Sequence, residues 1–123
     1  MRHTVRLHGV IVGHSELEQV DPDIGRAWGE FRPGLGYELV QPVFLLFAQA
    51  VPRDGSPKDS TILERYHQSR DVLHLELQDD RGRTLKTSAI HIADYSGGKG
   101  SATPELDVLI SDGAYWERRV GQK

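Results

Sequence analysis

The chain reads as an α+β domain: a mainly antiparallel sheet of about five strands, one long apolar helix and one surface helix, in the order β-β-α-α-β-β-β. Three observations lead there. Segments on both sides of the centre alternate apolar and polar with the two-residue period of half-buried strands. The centre holds six consecutive apolar residues, Val43-Phe44-Leu45-Leu46-Phe47-Ala48, inside a pattern of helical spacing. Strand signals precede and follow the helical ones as groups, which favours an antiparallel sheet over a β-α-β succession.

Thr4 to Val12 alternates, with Val5, Leu7 and Ile11 on one face, and predicts a strand of about nine residues. Gly9 and Gly13 fall on the apolar parity. Glycine there signals a bulge, a bend or another backbone passing close. His14 to Gly25 is polar and acidic and predicts a loop with at most one helical turn. Arg26 to Phe31 predicts a short second strand, and Pro33-Gly34-Leu35-Gly36 breaks the chain.

The helix is expected from about Tyr37 to Val51. One seam reads Tyr37, Val40, Phe44, Phe47 and Val51; a second reads Leu39, Val43, Leu46 and Ala50. Two apolar seams leave no fully polar side, and such a helix is normally covered on more than one face. Pro42 either kinks this helix or lies in the first turn of one that starts beside it, since proline lacks the N–H that only later turns require. Pro52 to Asp59 is a plain loop. Thr61-Ile62-Leu63-Glu64 has capping-box form and predicts a second helix from Ile62 to Val72, thinly apolar and on the surface.

Leu73 to Leu77 alternates cleanly. Asp79-Asp80-Arg81-Gly82-Arg83 supplies a turn, and Leu85 to Ala93 returns as the second strand of a hairpin. Its apolar parity changes between Leu85 and Ile90, which a bulge near Thr87–Ala89 reconciles. Ser96 to Ser101 is a glycine-rich loop. Leu106, Val108 and Ile110 mark a last strand, and the tail Tyr115-Trp116-Glu117-Arg118-Arg119 forms a short helix or an extended cap.

With 123 residues, 37% of them apolar and 27% charged, the chain is expected to form a single domain spanning residues 1–123, with a core of its own. It has no cysteine, which excludes a disulfide scaffold, a thiolate metal site and a cysteine nucleophile. No segment approaches the ~20 apolar residues of a membrane span, and Met1–Thr4 enters a strand pattern directly. The expected location is the cytoplasm. A net charge of −3 argues against nucleic acid and anionic membrane as partners. Eleven arginines against four lysines suggest a bacterial, GC-rich source.

No catalytic or metal-binding fingerprint is present. The histidines (His3, His8, His14, His67, His74 and His91) lack the spacing of a local zinc clamp. His8, His74 and His91 converge only if their strands are neighbours. Gly13-His14-Ser15-Glu16 lacks the second glycine of a nucleophile elbow, and Ser15 reads as a cap paired with Glu18. Gly97-Gly98-Lys99-Gly100-Ser101 has the wrong order for a phosphate loop. The acidic run Glu16, Glu18, Asp21, Asp23 lacks the glycine and closing glutamate of a calcium loop. No catalytic residue, cofactor site or metal ligand is therefore assigned.

What remains is a set of partner-facing candidates. Leu39, Val43 and Leu46 lie on the helix seam least easily covered from within. Tyr115, Trp116, Arg118 and Arg119 combine aromatic area with guanidinium forks, a composition common at binding hot spots. The expected function is that of a small interaction module, of the accessory, immunity or antitoxin kind, binding a protein partner or a second copy. The alternative is a small enzyme using dispersed groups such as His8, His74, His91 and Asp94, with or without a metal.

Overall fold

A computed structural model of the chain describes residues 1–52, 57–95 and 103–121. The glycine-rich loop and the tip of the Pro52–Asp59 loop lie outside the described residues. Within them the protein is α+β, with nine strands in two antiparallel sheets and three α-helices.

The first predicted strand is two strands, β1 (His3–Leu7) and β2 (Val10–Ser15), folded into a hairpin at His8-Gly9. Both turn residues have positive φ, 48° and 83°, the backbone of a two-residue turn whose twist matches its strands. Gly9 thus serves a turn within what alternation alone reads as one strand. Gly13 fulfils the other expectation for a glycine on this parity. A Cβ there would stand 2.3 Å from Phe31 Cζ and 2.6 Å from the Arg32 carbonyl oxygen.

After β3 (Gln19–Asp21) and a tight turn, β4 (Arg26–Glu30) runs through Phe31 into β5 (Arg32–Pro33). One sheet has the order β5-β2-β1-β6-β7, in which β6 (Leu75–Gln78) pairs with β7 (Thr84–Leu85) across the predicted turn, but the remainder of the strand expected from Leu85 to Ala93 leaves this hairpin for the other sheet. The other has the order β3-β4-β9-β8, with β8 (Thr87–Ala93) and β9 (Glu105–Ile110). The expected bulge is present: pairing shifts between Thr87 and Ala89. The chain therefore passes from one sheet to the other three times, along Glu16–Glu18 and at two single-residue corners, Phe31 and Lys86. Residues flanking β9 hold both corners. Phe31 N donates to the Pro104 carbonyl at 2.8 Å, and Ser111 N donates to that of Lys86 at 2.9 Å. The sheets share one apolar interior, with Val5, Val12 and Leu77 from the first and Ala27, Ile90, Ile92, Leu106 and Val108 from the second.

The long helix is broken where Pro42 suggested. A 3₁₀ segment, Leu35–Leu39, precedes α1 (Gln41–Ala50), with Val40 between them and Pro42 in the first turn of α1. The proline has no N–H to donate, so the α-helical ladder starts there rather than at Tyr37. α2 (Ser60–Asp71) is capped by Asp59, whose Oδ1 accepts from the N–H groups of Thr61 and Ile62 at 3.1 Å each. Asp59 takes the role expected of Thr61.

Ile90, Ile92 and Asp94 share one parity of β8 and its extension; His91 has the other. Yet Asp94 accepts a hydrogen bond from Gln41 at the start of α1, while His91 lies against Phe44 and Phe47. α1 therefore packs beside β8 and reaches side chains of both parities. Its second cover is α2, through Tyr66, which is fully buried against Phe44 and Phe47.

Candidate functional site

Four constellations are candidates, and the first is the C-terminal tail. The tail forms α3 (Gly113–Gly121). Tyr115 is 1% exposed, with its hydroxyl 3.0 Å from Nε2 of the fully buried His3. His3 Nδ1 lies 3.1 Å from the Met1 carbonyl oxygen, which can only accept, so Nδ1 carries the proton and Nε2 accepts from Tyr115. Arg119 donates to the Tyr115 hydroxyl at 2.7 Å and to the Leu17 carbonyl at 2.5 Å. The result is a one-directional chain, Arg119 to Tyr115 to His3 to Met1, whose members polarise one another. Burial, reinforced by the positive charge of Arg119, lowers the His3 pKa to about 4. Trp116 donates from its indole to the Ile110 carbonyl at 2.8 Å. Arg118 reaches the buried carboxylate of Asp79 at 3.4 Å, beside a small hollow of about 130 Å³. The tail residues are thus bound into their own chain.

The second constellation surrounds His91. Tyr66 hydrogen-bonds its Nδ1, and Phe44 and Phe47 pack edge-on against its ring. Burial lowers the His91 pKa to about 4 and raises that of Tyr66 to about 12. Between those values Tyr66 keeps its proton and donates it, which places the imidazole proton on Nε2. The third is Tyr37, which donates to Asp94 Oδ2 at 2.5 Å, with Gln41 donating at 3.2 Å. Burial and the adjacent carboxylate push the Tyr37 hydroxyl well above its ordinary pKa.

Leu7 of β1 pairs with Leu75 of β6, so His8, on the β1–β2 turn, and His74, just before β6, lie at the same end of neighbouring strands, while His91 is inside the aromatic cluster. Among the described residues no three His, Asp or Glu side chains are placed to hold a metal ion. Ser15 ends β2 rather than capping a helical turn. Its Oγ accepts from Leu17 N at 3.0 Å, while Glu18 accepts from Glu30 N at 3.1 Å.

No family model, curated protein or solved structure matches this chain.

The fourth constellation is an apolar surface. Of the helix-seam residues, Val43 and Leu46 are half-buried against the core, whereas Leu39 is 62% exposed. Leu35, in the same 3₁₀ segment, is 100% exposed, and Val10 and Ile11 of β2 are 44% and 37% exposed. The segment stands directly on β2. A Cβ on Gly36 would lie 2.6 Å from the Ile11 carbonyl oxygen and 2.7 Å from Val10 Cγ1. Glycine is what lets the backbone sit so close, and the close seat projects Leu35 outward. Arg32, Pro33 and Glu38, all exposed, are its neighbours in the chain. Leu39 belongs to the set expected from sequence; Val10, Ile11 and Leu35 do not. The signal for Leu35 was the Gly34-x-Gly36 frame, which read only as a chain break.

Proposed function

We propose that the chain is a small protein-interaction module that docks a partner protein, or a second copy of itself, on the face formed by Val10, Ile11, Leu35 and Leu39. The carrying observation is Leu35, a leucine wholly exposed on a glycine-framed segment that is seated on β2. An exposed leucine contributes nothing to the fold by burial. Large apolar residues exposed on one segment and on the strand beneath it form the kind of surface that marks an association site. Charged neighbours beside an apolar centre match the usual anatomy of an interface.

The test is light scattering over a concentration series, together with co-purification, for the wild type and a Leu35→Asp/Leu39→Asp double variant. The wild type should self-associate or retain a partner. The variant should lose that association while keeping its circular dichroism spectrum. A wild type that stays monomeric and retains nothing the variant fails to retain would end the proposal.

A further inference from the structure

A separate cleft of about 240 Å³ lies between the C-terminal end of α2 and the bulge of β8, lined by Arg70, Asp71, His74, Thr87 and Ser88, with Ile90 among the apolar walls. We propose that this cleft binds a small oxyanion, a carboxylate or phosphate group, with Arg70 as its principal partner. The inference does not depend on the apolar face described above.

Two backbone irregularities meet here. His74 has φ 53°, in the left-handed region that histidine enters uncommonly. On the facing wall the β8 register shifts between Thr87 and Ala89, so Ser88 is the extra residue of the bulge. Bulges re-aim side chains and are over-represented beside functional sites, as are residues held in sparsely populated backbone regions. Both residues, His74 and Ser88, line the same concavity.

The polarity of the lining selects the ligand. The Arg70 side chain is 24% exposed, with its guanidinium 5.4 Å from the centre of the Tyr66 ring, so its position is supported by packing. Its contact with Asp71 is long, 4.0 Å, and the Asp71 side chain is 73% exposed. An ion pair so long and so wet holds Arg70 weakly. Arg70 is thus the more enclosed of the two charges, and His74, Thr87 and Ser88 add an imidazole and two hydroxyls to the lining. A helix C-terminus ordinarily repels anions, but the Arg70 carbonyl here already accepts from the N–H groups of Val72 and Leu73. A guanidinium fork beside an imidazole and two hydroxyls is donor chemistry for a planar carboxylate or a phosphate.

The experiment follows the His74 ring by NMR while inorganic phosphate, and separately acetate, is titrated in at constant ionic strength set with chloride. Saturable movement in the low millimolar range, about −3 to −4 kcal/mol, is expected for at least one probe. The probe that saturates identifies the chemistry. Arg70→Gln and Arg70→Lys should each weaken it by about tenfold, the lysine because it keeps charge but loses the fork. Ser88→Ala should weaken it by a smaller factor. Arg65→Gln, on the exposed part of α2, should leave it unchanged. Absence of saturation with either probe up to about 50 mM, far above the expected dissociation constant, overturns the proposal. So does equal binding by the folded Arg70→Lys and Ser88→Ala variants and the wild type.

Discussion

The C-terminal tail and the 3₁₀ segment carry the same signal in sequence and meet opposite fates. Both place large apolar or aromatic residues outside the core that the predicted strands and helices form. In the tail, Tyr115 is buried, Trp116 and Arg119 bond to backbone carbonyls, and Arg118 finds Asp79. In the 3₁₀ segment, Leu35 and Leu39 remain in solvent. The difference lies in the polar atoms. Tyr, Trp and Arg carry donors that can close onto carbonyls left free at strand ends and kinks, here those of Ile110 and Leu17. Leucine has no such handle, and where no apolar neighbour arrives it stays exposed. Aromatic-arginine composition therefore serves closure within a chain as readily as recognition between chains.

The strongest way to break this contrast is Tyr115→Ala. It removes a buried ring together with the acceptor of Arg119 and the partner of His3, and should cost about 3–5 kcal/mol in urea unfolding. Tyr115→Phe keeps the ring and strands two polar groups, so about 1–3 kcal/mol is expected. A loss well under about 1 kcal/mol for Tyr115→Ala would mean that the tail is not part of the fold's closure.

Acid should act on the same latch. The folded pKa of His3 lies near 4, below its ordinary 6.5, because burial and Arg119 oppose the imidazolium. The unfolded chain therefore binds more protons between those values. Stability contributed by neutral His3 is complete above about pH 6.5, is lost as pH falls toward about 4, and amounts to about 3 kcal/mol at most. Geometry gives the same sign. A protonated Nε2 would donate toward Tyr115, whose own proton already points there, and would reverse the chain that begins at Arg119. His91 is lowered to the same value by burial, so urea midpoints measured from pH 7 to 4 need the His3→Gln variant to separate the two. That variant should have a shallower pH slope than the wild type, and a parallel slope would remove His3 from the account.

A smaller effect is expected at Arg119. Arg119→Met preserves much of the aliphatic contact but leaves the Leu17 carbonyl and the Tyr115 hydroxyl short of a donor, at a cost of about 1–3 kcal/mol. Arg119→Lys should recover only part of this, because one ammonium replaces two directed N–H groups aimed at different oxygens. Equal urea midpoints for Met and Lys would show that the fork geometry contributes nothing.

What was legible in sequence follows the range of the forces involved. Alternation in Leu106, Val108 and Ile110, the β6–β7 turn, the bulge near Ser88 and the second helix all arise from local periodicity or turn chemistry, and the structure has each of them. The hairpin at His8-Gly9 was missed because the apolar alternation of the sequence runs from Val5 and Leu7 on to Ile11 without a break, although β2 buries Val12 and leaves Ile11 37% exposed. The 3₁₀ break at Val40 was visible only as an ambiguity about Pro42. The candidate surface was legible in one residue, Leu39. Its remaining members come from β2, and no local pattern announces that Gly36 will rest on Val10 and Ile11. The cleft at Arg70 was illegible for the same reason, since it joins a helix end to a bulge on a strand in the opposite sheet.

The smallest stability change belongs to the other side of the comparison. Leu35→Ser should leave the monomer's unfolding free energy within about 0.5 kcal/mol, because a side chain that touches nothing has no packing to lose. The informative measurement is Tm against protein concentration. If copies associate through this face, the wild type melts higher as concentration rises, since association stabilises only the folded chain. Leu35→Ser should flatten that dependence without lowering the Tm at the dilute end. If a foreign partner is the occupant, both curves are flat and the distinction moves to the co-purified complex. A fall in the dilute Tm of several degrees would contradict the exposure of Leu35 itself. It would also remove the ground for separating a segment displayed to solvent from a tail folded inward.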